Sequence, residues 1–273
     1  MIKIVFVTSS LPTHEARLKM LYNVLNMGFL IALAFLPAVV DASLGMGYGF
    51  TVTPLLLLLG YDPVQAVPAV LLSSVVGNLL SSYFHHQFQN VDFGVKSRSF
   101  KIAVLMGGLG SIGSLFGALV ATGISKMYLS LYIGLMVIGV GCFIILSRKM
   151  TITFSWPKMV AFGLVGAFNK GISGSGFGPI VTTGGLLVGL DAKATVSVQS
   201  LAELFASLVG FLTFVLSNVP IDLALTLAMM LGVALASPLA AYIVHKLPSE
   251  KLRGLIAVTA IILGASTLLQ LRT

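Results

Sequence analysis

The chain has 273 residues, of which 57% are hydrophobic and only 9% charged, with a mean hydropathy of +1.05; that leaves too little polar surface to cover a soluble globule. Its formal net charge of +8 would point to nucleic acid in a soluble protein, but here the basic residues fall mostly between apolar segments, as the positive-inside rule places them, so no nucleic-acid partner is expected. The single cysteine, Cys142, excludes an internal disulfide framework and a thiolate metal cluster.

In chain order, residues 1–20 carry Lys3, Pro12, His14, Glu15, Arg17 and Lys19 around a short apolar run, too short for a signal-peptide core. They read as an N-terminal tail. Segments long enough to cross about 30 Å of hydrocarbon, roughly 20 residues each, follow at 21–44, 63–84, 101–124, 127–147, 156–173, 193–217, 221–244 and 252–271. Apolar pieces at 50–60 and 178–189 are too short to cross as helices. At membrane depth such pieces are tolerated only when buried in protein or lining a wet cavity.

Both short pieces follow a glycine motif, Gly45-Met46-Gly47-Tyr48-Gly49 and Gly174-Ser175-Gly176-Phe177-Gly178. Residues 45–62 and 174–191 match at nine of eighteen positions without a gap, at an offset of 129. The chain therefore reads as two copies of one unit: a first transmembrane repeat over 21–147, a cytoplasmic linker at 148–155 and a second repeat over 156–273. The expected fold is an all-α membrane protein of about eight transmembrane helices in two pseudo-symmetric repeats, each with a glycine-broken short helix near mid-membrane. Four crossings per repeat make the halves parallel; a broken piece that completes a crossing would instead make them inverted. Charge counting puts Lys3, Arg17, Lys19, Lys96, Arg98, Lys101, Arg148, Lys149, Lys158 and Arg272 inside and Lys126, Lys193, Lys246, Lys251 and Arg253 outside, with a cytoplasmic N-terminus.

Matched breaks in two membrane repeats are the sequence-level pointer to a transporter's binding site. Without Cβ atoms, Gly45, Gly47 and Gly49, and Gly174, Gly176 and Gly178, admit positive φ and close approach of a ligand to backbone. The turn they make exposes unpaired N–H groups at the start of the next helical piece, which suits an anion. One such motif alone reads as a helix-packing device; its duplication before an interrupted segment favours the ligand. Ser43, Thr51 and Thr53 in the first copy, with Ser173, Ser175, Thr182 and Thr183 in the second, are neutral hydroxyl donors for an anion's oxygens, although such residues also bond back to helix carbonyls.

Three ionisable residues lie within spans. Asp41 and Lys170 are equivalent at the offset of 129, so a salt bridge between them is one expectation, and a free Lys170 supplying positive potential to an anion is the other. Glu203 shares a helix face with Gln199 and Ser207, and its repeat partner Ser74 shares one with Asn78. This polar stripe should face the bundle interior, where desolvation keeps a carboxyl protonated; Glu203 is then a proton carrier for coupled transport, with Asp41 the next candidate, or else an interhelical hydrogen-bond donor. Asp62 and Asp191 read as helix N-caps. His85, His86 and His245 fall at span ends and read as interfacial. With no metal-binding spacing among the histidines and eleven scattered methionines, neither metal nor cofactor is expected.

The segments Asp41-Ala42-Ser43-Leu44-Gly45-Met46-Gly47-Tyr48-Gly49, Gly171-Ile172-Ser173-Gly174-Ser175-Gly176-Phe177-Gly178-Pro179 and Leu201-Ala202-Glu203-Leu204-Phe205 resemble the sulfite exporter TauE/SafE family, also called the 4-toluene sulfonate uptake permease family. The resemblance covers almost all of the chain from about 21 onward, and departs at Met46 and Tyr48 from the Gly-x-Gly-Gly-Gly form of many members. It implies secondary transport of sulfur oxyanions and organosulfonates, such as sulfite, sulfoacetate or thiosulfate, across the cytoplasmic membrane. The residues alone leave an anion channel open, which needs no intramembrane carboxyl. A rhomboid-like serine protease fits poorly, since no span carries a partner histidine for Ser175.

Overall fold

The computed structural model describes residues 14–147, 156–187, 190–249, 251, 252 and 255. Their regular elements are all α-helices: α1 His14–Leu44, α2 Tyr48–Leu58, α3 Pro63–Gln87, α4 Arg98–Gly123, α5 Lys126–Ser147, α6 Trp156–Ser173, α7 Phe177–Leu187, α8 Ala192–Leu216 and α9 Leu223–Lys246. Among the described residues, five helical stretches are long and apolar enough to cross a membrane: Leu25–Leu44 of α1, and α3, α4, α8 and α9. Helices α5 and α6 occupy the expected positions of the fourth and fifth spans. The first thirteen residues, the linker 148–155 and the eighth span beyond Leu252 and Leu255 lie outside the described residues.

The short pieces are helices of eleven residues each, α2 and α7, and the breaks before them end α1 and α6 in the same way. Gly45 N–H closes on Asp41 O at 2.6 Å and Gly174 N–H on Lys170 O at 2.8 Å, with the glycines at φ 71° and 72°. Downstream, the Asp62 carboxylate accepts from Val64 N–H at 3.0 Å and that of Asp191 from Lys193 N–H at 2.9 Å. Both aspartates are the N-caps their Gly-x-Asp setting predicts.

Helix direction corrects the expectation of parallel halves. Ala34 faces Gly232 while Asp41 shares a cleft with Ser237, so α1 and α9 run the same way. Gly77 meets Val233 and Asn90 beyond α3 reaches Ala241, so α3 joins them. In the other set, Gly107 meets Phe205, Gly110 meets Ala206 and Ser114 meets Gly210, aligning α4 with α8; Gly163 meets Met106 and Gly117 meets Phe168, aligning α4 with α6. Between the sets, Leu71 lies against Gly210 while Ser74, three residues later, is linked through Lys170 to Glu203. Thus α3 and its counterpart α8 are antiparallel, and the halves point in opposite directions. The physical reason is α2: it turns back between α1 and α3, so those two helices share a direction and α1 is opposed to its counterpart α6.

The same geometry overturns the charge count. His245 Nδ1–H donates to Phe88 O at 2.6 Å and Lys193 Nζ to His245 O at 3.0 Å, so the loop after α3, the start of α8 and the end of α9 occupy one end of the bundle. Lys96, Arg98, Lys101, Lys193 and Lys246 therefore lie on one side, not on two. At the other end Lys126 pairs with Asp62, and Val219 packs with Val64 and Ile124.

Helices approach closely where side chains are small. A Cβ on Gly113 would sit 2.7 Å from Leu164 O, and one on Gly171 would overlap Ser114 O. That contact lets α4 and α6 pack by dispersion in lipid, where no hydrophobic force drives association.

Candidate functional site

The two breaks meet. Thr182 Oγ1–H on α7 donates to Gly45 O at 2.8 Å. A Cβ on Gly49 would overlap Gly174 O, and one on Gly178 would stand 2.6 Å from Gly45 O. Backbone of each motif is thus seated against backbone of the other, which only glycine allows at those positions. At Gly47, with φ 134°, conformation rather than space demands glycine: the nearest atom to a Cβ is Val40 Cγ1 at 3.4 Å.

The hydroxyls divide. Ser173 Oγ–H donates to Asn169 O at 2.6 Å and accepts from Ser175 N–H at 3.2 Å, and Thr182 is committed to Gly45 O; both hold the breaks in shape. Ser43 Oγ, Thr53 Oγ1 and Ser175 Oγ, in or beside the two motifs, are buried with no hydrogen-bond partner among the described residues. Thr51 and Thr183 are half-buried. Buried unpaired hydroxyls are costly and call for a ligand, ion or water.

The charges gather at the same centre, with different partners from those expected. Lys170, 1% exposed, lies 2.6 Å from Glu203 Oε1 and donates to Ser74 Oγ at 3.0 Å. No salt bridge joins it to Asp41. Gln199 Nε2–H donates to the other oxygen of Glu203, while Gln199 Oε1 and Ser207 Oγ are buried and unpartnered. The stripe Ser74, Gln199, Glu203 and Ser207 faces the interior as its spacing requires. Glu203, rather than Asp41, is thus the carboxyl group paired with the buried lysine. Asp41 lies beside Tyr48, the first residue of α2, on the wall of one cleft, and feels the charges of Glu203 and Lys170.

A small cleft opens beside the first motif, bounded by Asp41, Ala42, Tyr48, Ser74, Asn78 and Ser237 among others.

Three groups in the site escaped the sequence reading. Ser73 Oγ–H donates to Val70 O, so Tyr48 O–H is the donor to Ser73 Oγ at 2.6 Å; the counterpart of Tyr48, Phe177, is apolar and fully buried. Tyr132 O–H donates to Asn169 Oδ1, next to Lys170. His85 corrects an interfacial assignment: it is fully buried. Asn90 Nδ2 donates to its Nδ1 at 3.0 Å and to Ala241 O at 2.9 Å, so His85 is neutral and its Nε2–H donates to Ala42 O at 2.9 Å. It thereby braces the end of α1 just before the break. His86 and His245 are exposed, as expected.

Residues 30–267 match the family model described as sulfite exporter TauE/SafE. A curated relative, the "Probable membrane transporter protein YtnM" of Bacillus subtilis (strain 168), is 30% identical over 258 residues, covering 88% of this chain and 83% of its own. No solved structure matches.

Proposed function

The chain belongs to the sulfite exporter TauE/SafE family, and we propose that it is a secondary transporter that exports a sulfur-containing anion, such as sulfite, an organosulfonate like sulfoacetate, or thiosulfate, with proton coupling. Membership of a membrane-transporter family accounts for the multi-pass helical chain of the cell membrane, and catalysis has no part in this reading. The observation that carries the substrate class is the interlock of the two breaks beside a buried lysine. Two half-helix N-termini, the unpaired hydroxyls Ser43, Thr53 and Ser175, and Lys170 together offer hydrogen bonds and positive potential to a small oxyanion. We assign substrate contact to the backbone of Gly45, Gly47, Gly49, Gly174, Gly176 and Gly178, with Ser43, Thr51, Ser175 and Lys170, and a supporting role to Ser173 and Thr182.

The halves over 21–147 and 156–273 are read as inverted pseudo-symmetric repeats, with the short helices α2 and α7 each completing a traversal. Support comes from the packing pattern, in which α1 on α9 is mirrored by α6 on α4, and α3 on α9 by α8 on α4. Alternating access by rocking of such repeats around a fixed central site is the mechanism this arrangement favours. The seated backbones favour a carrier over a channel. The end of the bundle holding Lys96, Arg98, Lys101, Lys193 and Lys246 is assigned to the cytoplasm by the positive-inside rule, which places the start of α1 outside.

Uptake of radiolabelled sulfite, sulfate, thiosulfate and sulfoacetate into proteoliposomes, with and without a pH gradient, tests the reading. Saturable, gradient-responsive movement of one or more sulfur anions is expected. Flux of none of them, or non-saturating flux driven by voltage alone, overturns it.

A further inference from the structure

The two carboxylates at the centre are not equivalent. Glu203 is 5% exposed and held by Lys170 and Gln199. Asp41 is half-buried on the wall of the cleft and forms no ion pair among the described residues. It lies instead beside Tyr48, the first residue of α2, on the wall of the same cleft, so an internal carboxylate stands at the half-helix N-terminus where a substrate anion would be held. Asn78, 5% exposed, lines the same cleft and makes no hydrogen bond among the described residues. This is a polar side chain with donors to offer and nothing yet to receive them.

We infer that Asp41 is the proton-exchanging group of the carrier, and that its ionised carboxylate and the substrate anion compete for the α2 N-terminus, with Asn78 as a further substrate ligand. The inference rests on the anion-transport reading above. The groups facing Asp41 are Tyr48 from α2, Ser74 and Asn78 from α3, Lys170 from α6, Glu203 from α8 and Ser237 from α9, while the neutral His85 of α3 is bonded to Ala42 O. With Asp41 and Glu203 ionised and Lys170 protonated, the formal charges −1, −1 and +1 sum to −1. Bringing a monovalent anion to this site doubles an uncompensated charge at membrane depth, which is costly. If Asp41 first takes a proton from water in the cleft, the cluster is neutral, no internal anion is left at the α2 N-terminus, and the substrate anion restores the original charge. Release reverses the order: the anion departs and Asp41 returns its proton to the water of the receiving compartment. Anion and proton therefore travel the same way. Glu203 stays with Lys170 throughout and fixes the positive end of the site.

Infrared difference spectra of the reconstituted protein between acid and alkaline pH test the assignment without transport. A protonated-carboxyl band should titrate in the parent, disappear in Asp41→Asn, persist in Glu203→Gln, and grow at constant pH when sulfite or methanesulfonate is added. The conservative Asp41→Glu should keep the band with a displaced midpoint. Flux in the same vesicles should show Asp41→Asn losing tenfold or more of pH-driven sulfite accumulation while keeping sulfite-for-sulfite exchange. A band that survives in Asp41→Asn, or that ignores both anions, overturns the inference. Absence of any sulfur-anion flux in the parent strikes the transport reading instead, and is read in vesicles whose carboxyl band still responds to bound anion.

Discussion

Separating Lys170 from Glu203 should cost the fold heavily, and restoring neutrality should return most of the loss. The two side chains are 1% and 6% exposed with Nζ 2.6 Å from Oε1, so neither charge has water to turn to. Removing one member of a buried pair costs about 3–5 kcal/mol, because the remaining charge is stranded, whereas replacing both with groups of similar volume is close to neutral. Glu203→Gln retains an amide that can face Gln199 but leaves the Lys170 ammonium with Ser74 Oγ at 3.0 Å as its remaining bond; it belongs near the upper end. Lys170→Met belongs near the lower end, since Glu203 keeps the hydrogen bond it accepts from Gln199. With the singles at about 5 and about 3 kcal/mol and the double close to neutral, the double variant should recover at least about 4 kcal/mol relative to the sum of the singles, roughly a 700-fold or greater difference in the unfolding constant at 1.4 kcal/mol per tenfold. Denaturant titration in mixed micelles, followed through the fluorescence of the single tryptophan, Trp156, measures all four proteins. Additivity within about 0.5 kcal/mol would refute the reasoning, showing that the pair contributes no coupling and that Lys170 is stabilised by other means.

Valine at Gly47 or Gly176 should abolish sulfite flux, because φ values of 134° and 92° are closed to a β-branched residue; flux within twofold of the parent in both would refute this. Gly49→Ala, whose methyl would overlap Gly174 O, should also disrupt folding, seen as lost monodisperse protein on size exclusion, whereas Gly60→Ala has open space and should cost about 1–2 kcal/mol for its φ of 87° alone. Tyr48→Phe removes one buried hydrogen bond and should destabilise by about 1 kcal/mol, as the apolar Phe177 already fills the equivalent position; a loss above about 3 kcal/mol in the same titration would assign the hydroxyl a larger role. In a Cys142→Ser background, cysteines at Val95 and Lys246 should react with an impermeant maleimide from one side of oriented vesicles and a cysteine at Lys126 from the other; labelling of Val95 and Lys246 from opposite sides would reject the inverted halves.

What the sequence determined by itself was local or repetitive. Apolar composition demands a membrane chain, because nothing else can satisfy so much hydrocarbon. The duplicated Gly-x-Gly-x-Gly marks both breaks, because a helix ends wherever backbone must take positive φ, and Asp62 and Asp191 cap helices through hydrogen bonds that reach only two or three residues ahead. The inward-facing stripe of Ser74, Gln199, Glu203 and Ser207 follows from 3.6-residue periodicity. Only the tertiary structure decided helix direction, since an eleven-residue helix such as α2 can pass onward or turn back with the same composition, and that one reversal sets which loops share an end and on which side Lys193 and Lys246 stand. It also decided that Lys170 takes Glu203 rather than Asp41, that His85 is a buried brace, and that the two glycine motifs seat backbone on backbone with a cleft beside the first. Those outcomes depend on distances between residues far apart in the chain, such as the 137 positions separating Thr182 from Gly45; hydropathy and spacing along one helix carry no information about them.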